Sequence, residues 1–228
     1  MIELKFYVSK KVLDLGLKIR FAVINNVNNE NNYEVNEFIN KTANRLLEEY
    51  KDFDIDSDDV LNGFHKIHER ATISKRKNTP ASENLIRLLK ENNSYRSINP
   101  LVDIYNLLSI ESKLCLGAHD IDKVSGNVTL RFHNGDEIFI PLGDGTSHKV
   151  KNNEYSYIDD SNEILCRLEV RQVKKTLVGN DTKNVFYIIE GNDLIPDEVL
   201  DSYANKIIEV TTSYLGGEGH IVEYEEIE

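Results

Sequence analysis

An α+β fold, a mainly antiparallel sheet packed with helices, is what this 228-residue sequence predicts, and three patterns predict it. Apolar residues recur at helical spacing between Val35 and Leu108, short runs rich in Val, Ile, Phe and Tyr follow from Cys115, and a last helical stretch ends at Gly216. Helices, then strands, then a helix is the order of an α+β domain rather than of repeated βαβ units. With 40% hydrophobic residues the chain can bury a sizeable core, and one domain is the simplest reading.

Each element has its own signal. Residues 17–24, LKIRFAVI, alternate basic and apolar side chains before the Asn-rich turn NNVNNENN, as a strand and loop would. A first helix runs from Val35 to Tyr50 on Phe38, Ile39, Leu46 and Leu47. In a second, Ser57 or Asp58 is the N-cap and Val60, Leu61, Phe64 and Ile67 form the stripe. A third starts after Pro80, with Ser82 as cap, and Pro100 opens a fourth whose buried face is Leu101, Ile104, Tyr105, Leu107 and Leu108. GNVTLRF, DEIFIPL, EYSYI, EILCRLEV and NVFYIIEG read as strands separated by Gly, Asn and Asp turns, which places the sheet in the C-terminal half. Pro196 opens the last helix, and an acidic tail follows Gly216.

Several chemistries are excluded by missing motifs: there is no Walker A sequence, no GxSxG, no HExxH and no CxxC, and no cofactor is implied. DFDIDSDD is not a calcium loop, because twelve positions from Asp54 end at His65 where a bidentate Glu is needed and Asp59 stands where a Gly must turn. It reads as an exposed loop whose carboxylates complement a helix N-terminus. His65 and His68 share a helix face without a third ligand nearby, and read as solvated or partly packed. The glycines of LGDGTSH and YLGGEGH fit hairpin turns better than an anion cradle. Cys115 and Cys166 each lie in an apolar run and are expected to be buried reduced thiols. Neither a secretory leader nor a membrane-spanning run is present, so a cytoplasmic location and no membrane partner are expected.

The net charge of −12 argues against a general nucleic-acid binder and against DNA. Any RNA contact must be local. Between Lys66 and Arg96 eight cations (Lys66, Arg70, Lys75, Arg76, Lys77, Arg87, Lys90 and Arg96) face only Glu69, Glu83 and Glu91, a phosphate-facing patch or simply a solvated helix face. Lys75, Arg76, Lys77 and Arg96 are the RNA-binding candidates.

Residues 98–123, INPLVDIYNLLSIESKLCLGAHDIDK, carry a family resemblance. An Asn-containing loop, a VDxxN helix, a short apolar strand and a D-hydrophobic-D-Lys segment, here Val102, Asp103, Asn106, Asp120, Asp122 and Lys123, resemble the signature of the B3/B4 (PheT-like) domain of the phenylalanyl-tRNA synthetase β subunit. GNVTLRF, LGDG, EYSYIDD and DTKNVFYIIEGND continue the likeness, firm from about Arg96 to Asp193. The implied organisation is a helical N-terminal portion over 1–95 and a B3/B4 core over 96–228, holding the sheet and the C-terminal helix.

The resemblance implies a pocket that takes the 3′ end of misacylated tRNA and hydrolyses the ester, discriminating by a hydrogen bond to a tyrosine hydroxyl. A labile aminoacyl ester needs positioning more than a strong nucleophile. Ungapped counting puts the family's pocket His on Gly117 and its specificity Glu on Ile188, with His119 and Glu190 two residues on in each case. His119 and Glu190 are therefore the catalytic candidates; alternatively they are a structural histidine and a strand-end carboxylate. Asn106 and Asp103 match family positions as substrate-binding candidates, or fix the adjacent loop. Arg131 meets a phosphate or carboxylate, or pairs with Asp and Glu on a neighbouring strand. Three functions remain: a deacylase acting in trans on aminoacyl-tRNA, a non-catalytic RNA-binding module, and a pocket for an amino-acid-like ligand without RNA. No class II catalytic core fits within 228 residues, so the chain is not expected to charge tRNA.

Overall fold

The first strand, β1 (Phe6–Ser9), leads through a single helical turn, α1 (Lys10–Leu13), into β2 (Lys18–Asn25). Four helices follow: α2 (Tyr33–Tyr50), α3 (Asp59–Arg70), α4 (Ala81–Asn92) and α5 (Pro100–Ser112). Then come β3 (Cys115–Asp120), β4 (Val128–Phe132), β5 (Tyr155–Asp159), β6 (Ile164–Arg167), β7 (Arg171–Gln172) and β8 (Val185–Gly191). The chain closes with α6 (Asp197–Leu215), β9 (Glu218–Val222) and β10 (Tyr224–Ile227). These elements come from a computed structural model that describes residues 4–143 and 145–228, apart from the side chain of Arg76.

The described strands form two sheets, one in the order β10-β1-β4-β5-β6-β7 and one in the order β3-β8-β2-β9. Every pairing is antiparallel except those of β1 with β4 and β10. Alternation along β2 and β8 divides the core in two. Ile19, Phe21 and Val23 with Phe186 and Ile188 turn toward the other sheet, where they meet Phe6, Tyr155 and Tyr157. Ala22 and Ile24 with Val185, Tyr187 and Ile189 turn toward the helices. Phe6 stacks on Phe21 at 4.1 Å between centroids, and burying each such ring contributes about 1.5–3 kcal/mol.

Helix α5 is buried from Pro100 through Ile110 and packs on α2, α4, α6 and β3, so it has no solvent stripe. A helix in that position needs its ends satisfied internally. Asn99 Oδ1 accepts from the Val102 N–H at 3.1 Å, and Asn29 Oδ1 accepts from the Leu101 N–H at 2.9 Å. Asp103, in the first turn, accepts from the Tyr95 hydroxyl at 3.0 Å, the Ser97 hydroxyl at 2.5 Å and the Ile98 N–H at 2.9 Å, tying down the loop that enters the helix.

Several sequence expectations need correction. Before Tyr33 the 1–95 portion holds one helical turn, α1, and the strands β1 and β2, which enter the two sheets, with β2 between β8 and β9. The sheets are therefore not confined to the C-terminal half. Asp58 caps α3, its Oδ1 accepting from the Leu61 N–H at 2.9 Å. Ser82 caps nothing: α4 begins after Pro80, and the Ser82 hydroxyl is buried 3.4 Å from Cys115 Sγ. DEIFIPL makes isolated bridges through Ile138, Phe139 and Pro141 instead of a strand. The acidic tail pairs as β10 beside β1, where the alternate residues of YEEI share an exposed edge. Cys115 and Cys166 are buried and free.

Asp103→Ala leaves three donors of the entry loop without their acceptor. It is expected to destabilise the fold by about 3 kcal/mol in urea unfolding, and a change below about 1 kcal/mol would show that the loop is held otherwise.

Candidate functional site

Between the two sheets, bounded also by residues of α4 and α5, the core opens into a cleft of about 580 Å³. Cys115, Gly117, Ile188 and Glu190 line it from one sheet and Tyr157 and Cys166 from the other. Tyr105 and Asn106 of α5 and Asn84 and Leu85 of α4 form a wall, and Lys77 and Arg171 stand exposed at the open end. Strand period puts Glu190 there: Phe186, Ile188 and Glu190 share one face of β8, and Cys115, Gly117 and His119 share the matching face of β3. Gly117 and Ile188 are direct cross-strand partners, as are Cys115 and Glu190. A Cβ on Gly117 would touch only Gln172, at 3.5 Å, so this glycine leaves room in the cleft without being demanded by the backbone.

Two buried carboxyls at the inner end are driven in opposite directions. Burial pushes the Glu190 carboxyl well above the usual range and the nearby Glu169 charge pushes it further, while a hydrogen bond from the Tyr157 hydroxyl to Oε1 at 2.7 Å only partly opposes this. Burial works against ionised Glu169 as well, but His68 and a 3.0 Å bond from the Tyr155 hydroxyl outweigh it, and its pKa falls. His68 Nε2 lies 2.5 Å from Glu169 Oε1. For His68, burial disfavours the charge and Glu169 restores it, with a raised pKa as the result. Environments that drive two carboxyls apart are what acid and base assignments are made of. Glu169 enters the cleft because Leu168 adopts φ 53°, a left-handed conformation that a leucine holds only under strain and that ends β6.

Of the candidates read from sequence, Asn106, Glu190 and Lys77 line this cleft. His119 is not among its lining residues: its ring stacks on Phe186 at 5.0 Å, its Nδ1 lies 2.8 Å from the Thr176 hydroxyl, and burial pushes its pKa down to about 3. Asp103 holds the loop described above and is also outside the cleft lining. Arg131 lies on β4 and donates to Glu137 Oε1 at 2.6 Å and Asn162 Oδ1 at 3.0 Å, so its acidic partner comes from the segment after β4 and not from a neighbouring strand. Lys75 and Arg96 are exposed but outside the cleft lining, and the side chain of Arg76 lies outside the described residues. Within the basic run, Arg70 pairs with Asp193 and Arg87 with Asp56 and Glu83, so part of its charge is already neutralised. His65 and His68 are buried rather than solvated, each against a glutamate, Glu83 and Glu169.

Comparison with known proteins places the fold in a family. The B3/4 domain family matches residues 69–196, more than half of the chain. The chain belongs to the B3/4 domain family. Over 89 residues, 39% of its length, this B3/4 domain is 36% identical to the phenylalanine–tRNA ligase β subunit of Fusobacterium nucleatum, of which it spans 11%. Its fold is similar to the crystal structure of an N-terminal fragment of the phenylalanyl-tRNA synthetase β subunit from Pyrococcus horikoshii, with a TM-score of 0.52 and 16% identity, covering 99% of this chain and 54% of that one. Among the described residues no helix is long and apolar enough to cross a membrane.

Sequence reasoning missed Glu169, Tyr157, Tyr105 and Arg171 in this B3/4 domain. Tyr105 and Tyr157 look like ordinary core aromatics, and a left-handed Leu168 cannot be foreseen from strand alternation. A lone Glu in the apolar run ILCRLEV was the one usable signal for Glu169.

The raised Glu190 pKa has a stability consequence of definite sign. Above the unfolded glutamate pKa of about 4.3 the native state holds a proton the unfolded state has lost, so this group reduces stability as pH rises. Glu190→Gln keeps the acceptor for Tyr157 and removes that penalty. In urea unfolding, the stability of the variant relative to the original chain is expected to increase from about pH 4.5 to pH 7; a pH-independent difference would mean that Glu190 is ionised in the fold.

Proposed function

We propose that this B3/4 domain takes the aminoacylated 3′ end of a tRNA into the cleft and hydrolyses the ester, acting on misacylated tRNA. The observation that carries the reading is the polarity of the cleft: polar groups at the buried end, Lys77 and Arg171 at the open end. Among the described residues these two cations have no ion-pair partner, so their charge is available to a phosphate. A chain of net charge −12 binds RNA only through such a local site.

In this reading the inner end supplies positioning. Asn106 offers an amide to the ester or to a water, and Glu169, held ionised by His68 and Tyr155, is the carboxylate able to accept a proton from that water. His119 has no part in it. Gly117 and Ile188 replace with apolar surface the two positions at which the resemblance implies recognition of a tyrosine hydroxyl, so the amino acid removed is expected to differ from tyrosine. The acidic overall charge favours, as the second reading, an amino-acid-like ligand bound without RNA.

A panel of radiolabelled aminoacyl-tRNAs, matched and mismatched, tests the first reading directly. Selective hydrolysis is expected, lowered about 100-fold by Asn106→Ala. Replacing Lys77 and Arg171 with Ala is expected to weaken tRNA binding and to flatten its salt dependence by roughly 0.7–0.9 in log–log slope for each lost phosphate contact. Absence of both hydrolysis and tRNA binding would overturn it in favour of the small-ligand reading.

A further inference from the structure

The inner end of the cleft holds two carboxyls and one cation. His68 lies against Glu169, whereas Glu190, 3% exposed, has no ion pair among the described residues and one hydrogen bond, from Tyr157. The groups facing Glu190 supply no positive charge: Glu169 beyond β6, Tyr155 and Tyr157 on β5, Cys115 on β3 and Cys166 on β6. A carboxyl in apolar surroundings beside a second, ionised one lacks a counter-charge, and a group that brings one gains more there than in water.

We propose that Glu190 is the receptor for a cationic group of the ligand and, resting on the aminoacyl reading above, that this group is the α-ammonium. That group is common to all aminoacyl esters, whatever the side chain. The charges balance as follows: without ligand the Glu169–His68 pair is neutral and Glu190 holds its proton; with ligand the ammonium pairs with the Glu190 carboxylate and the displaced proton leaves to solvent. Binding therefore releases a proton. A hydroxyl received at the same carboxyl would release none.

The test uses two matched sets of non-hydrolysable adenosine 3′-amides, one with an α-amino acyl group and one with the α-hydroxy counterpart, spanning small, branched and aromatic side chains. Titration calorimetry at about pH 6.5, where an α-amine of pKa near 7.7–8.0 is mostly charged, is run in two buffers of different ionisation enthalpy. The amino form is expected to bind about tenfold or more tightly than the hydroxy form, with proton release approaching one per ligand. Glu190→Gln, which keeps the Tyr157 bond and the fold, is expected to abolish both the preference and the release. Equal binding of the two forms, or amine binding without proton release, would overturn the ammonium assignment and leave the aminoacyl reading standing. Binding of neither form would overturn both.

Discussion

Strand β8 is hydrogen-bonded along both edges and buried at every position, so each of its side chains belongs to one of two cores. Val185, Tyr187 and Ile189 fill the helix-facing core, and Phe186 and Ile188 the layer between the sheets. Glu190 continues the second series. Its carboxyl is placed in an apolar layer by the same two-residue period that places the phenylalanine, and it cannot be turned outward without reversing the whole strand. The burial of the Glu190 carboxyl in the cleft wall, and the rise in its pKa that burial brings, follow from this constraint.

Glu169 reaches the same place by a different route. It comes from an interruption of β6 at Leu168, where backbone strain turns an acidic side chain inward and His68 of α3 meets it. The two carboxyls are thus held by independent parts of the fold: Glu190 by a continuous sheet, Glu169 by a strained turn and a partner helix. That independence lets one be neutral and the other ionised in a shared environment, because each has its own hydrogen-bonding tyrosine and only one has an imidazole.

The legible part of the sequence was periodicity. The long helices were readable from their apolar stripes, and β8 from an apolar run too short for a helix. Strands β1 and β10 were not, because β1 is four residues long and YEEI carries the composition of a solvated tail; pairing with β4 and β10 makes β1 a strand, and pairing with β1 makes β10 one. In the cleft, Asn106 and Glu190 were candidates because one matches and the other lies two residues beyond a position the resemblance marks, and regular elements carry both into the lining. His119 was misplaced by the same logic: it shares a face with Gly117, but the face passes beyond the cleft to Phe186 and Thr176. Residues delivered by irregular backbone, above all Glu169, leave no periodic trace.

The central claim is that a neutral and an ionised carboxyl coexist in the cleft, and a pH titration of ¹³Cδ-labelled glutamate followed by NMR, assigned with Glu190→Gln and Glu169→Gln, tests it most directly. The account predicts one buried resonance that titrates well above the ordinary glutamate range of about 4.3, missing in Glu190→Gln, and a second that titrates below that range, missing in Glu169→Gln. Ionisation of Glu190 at the ordinary glutamate pKa would contradict it.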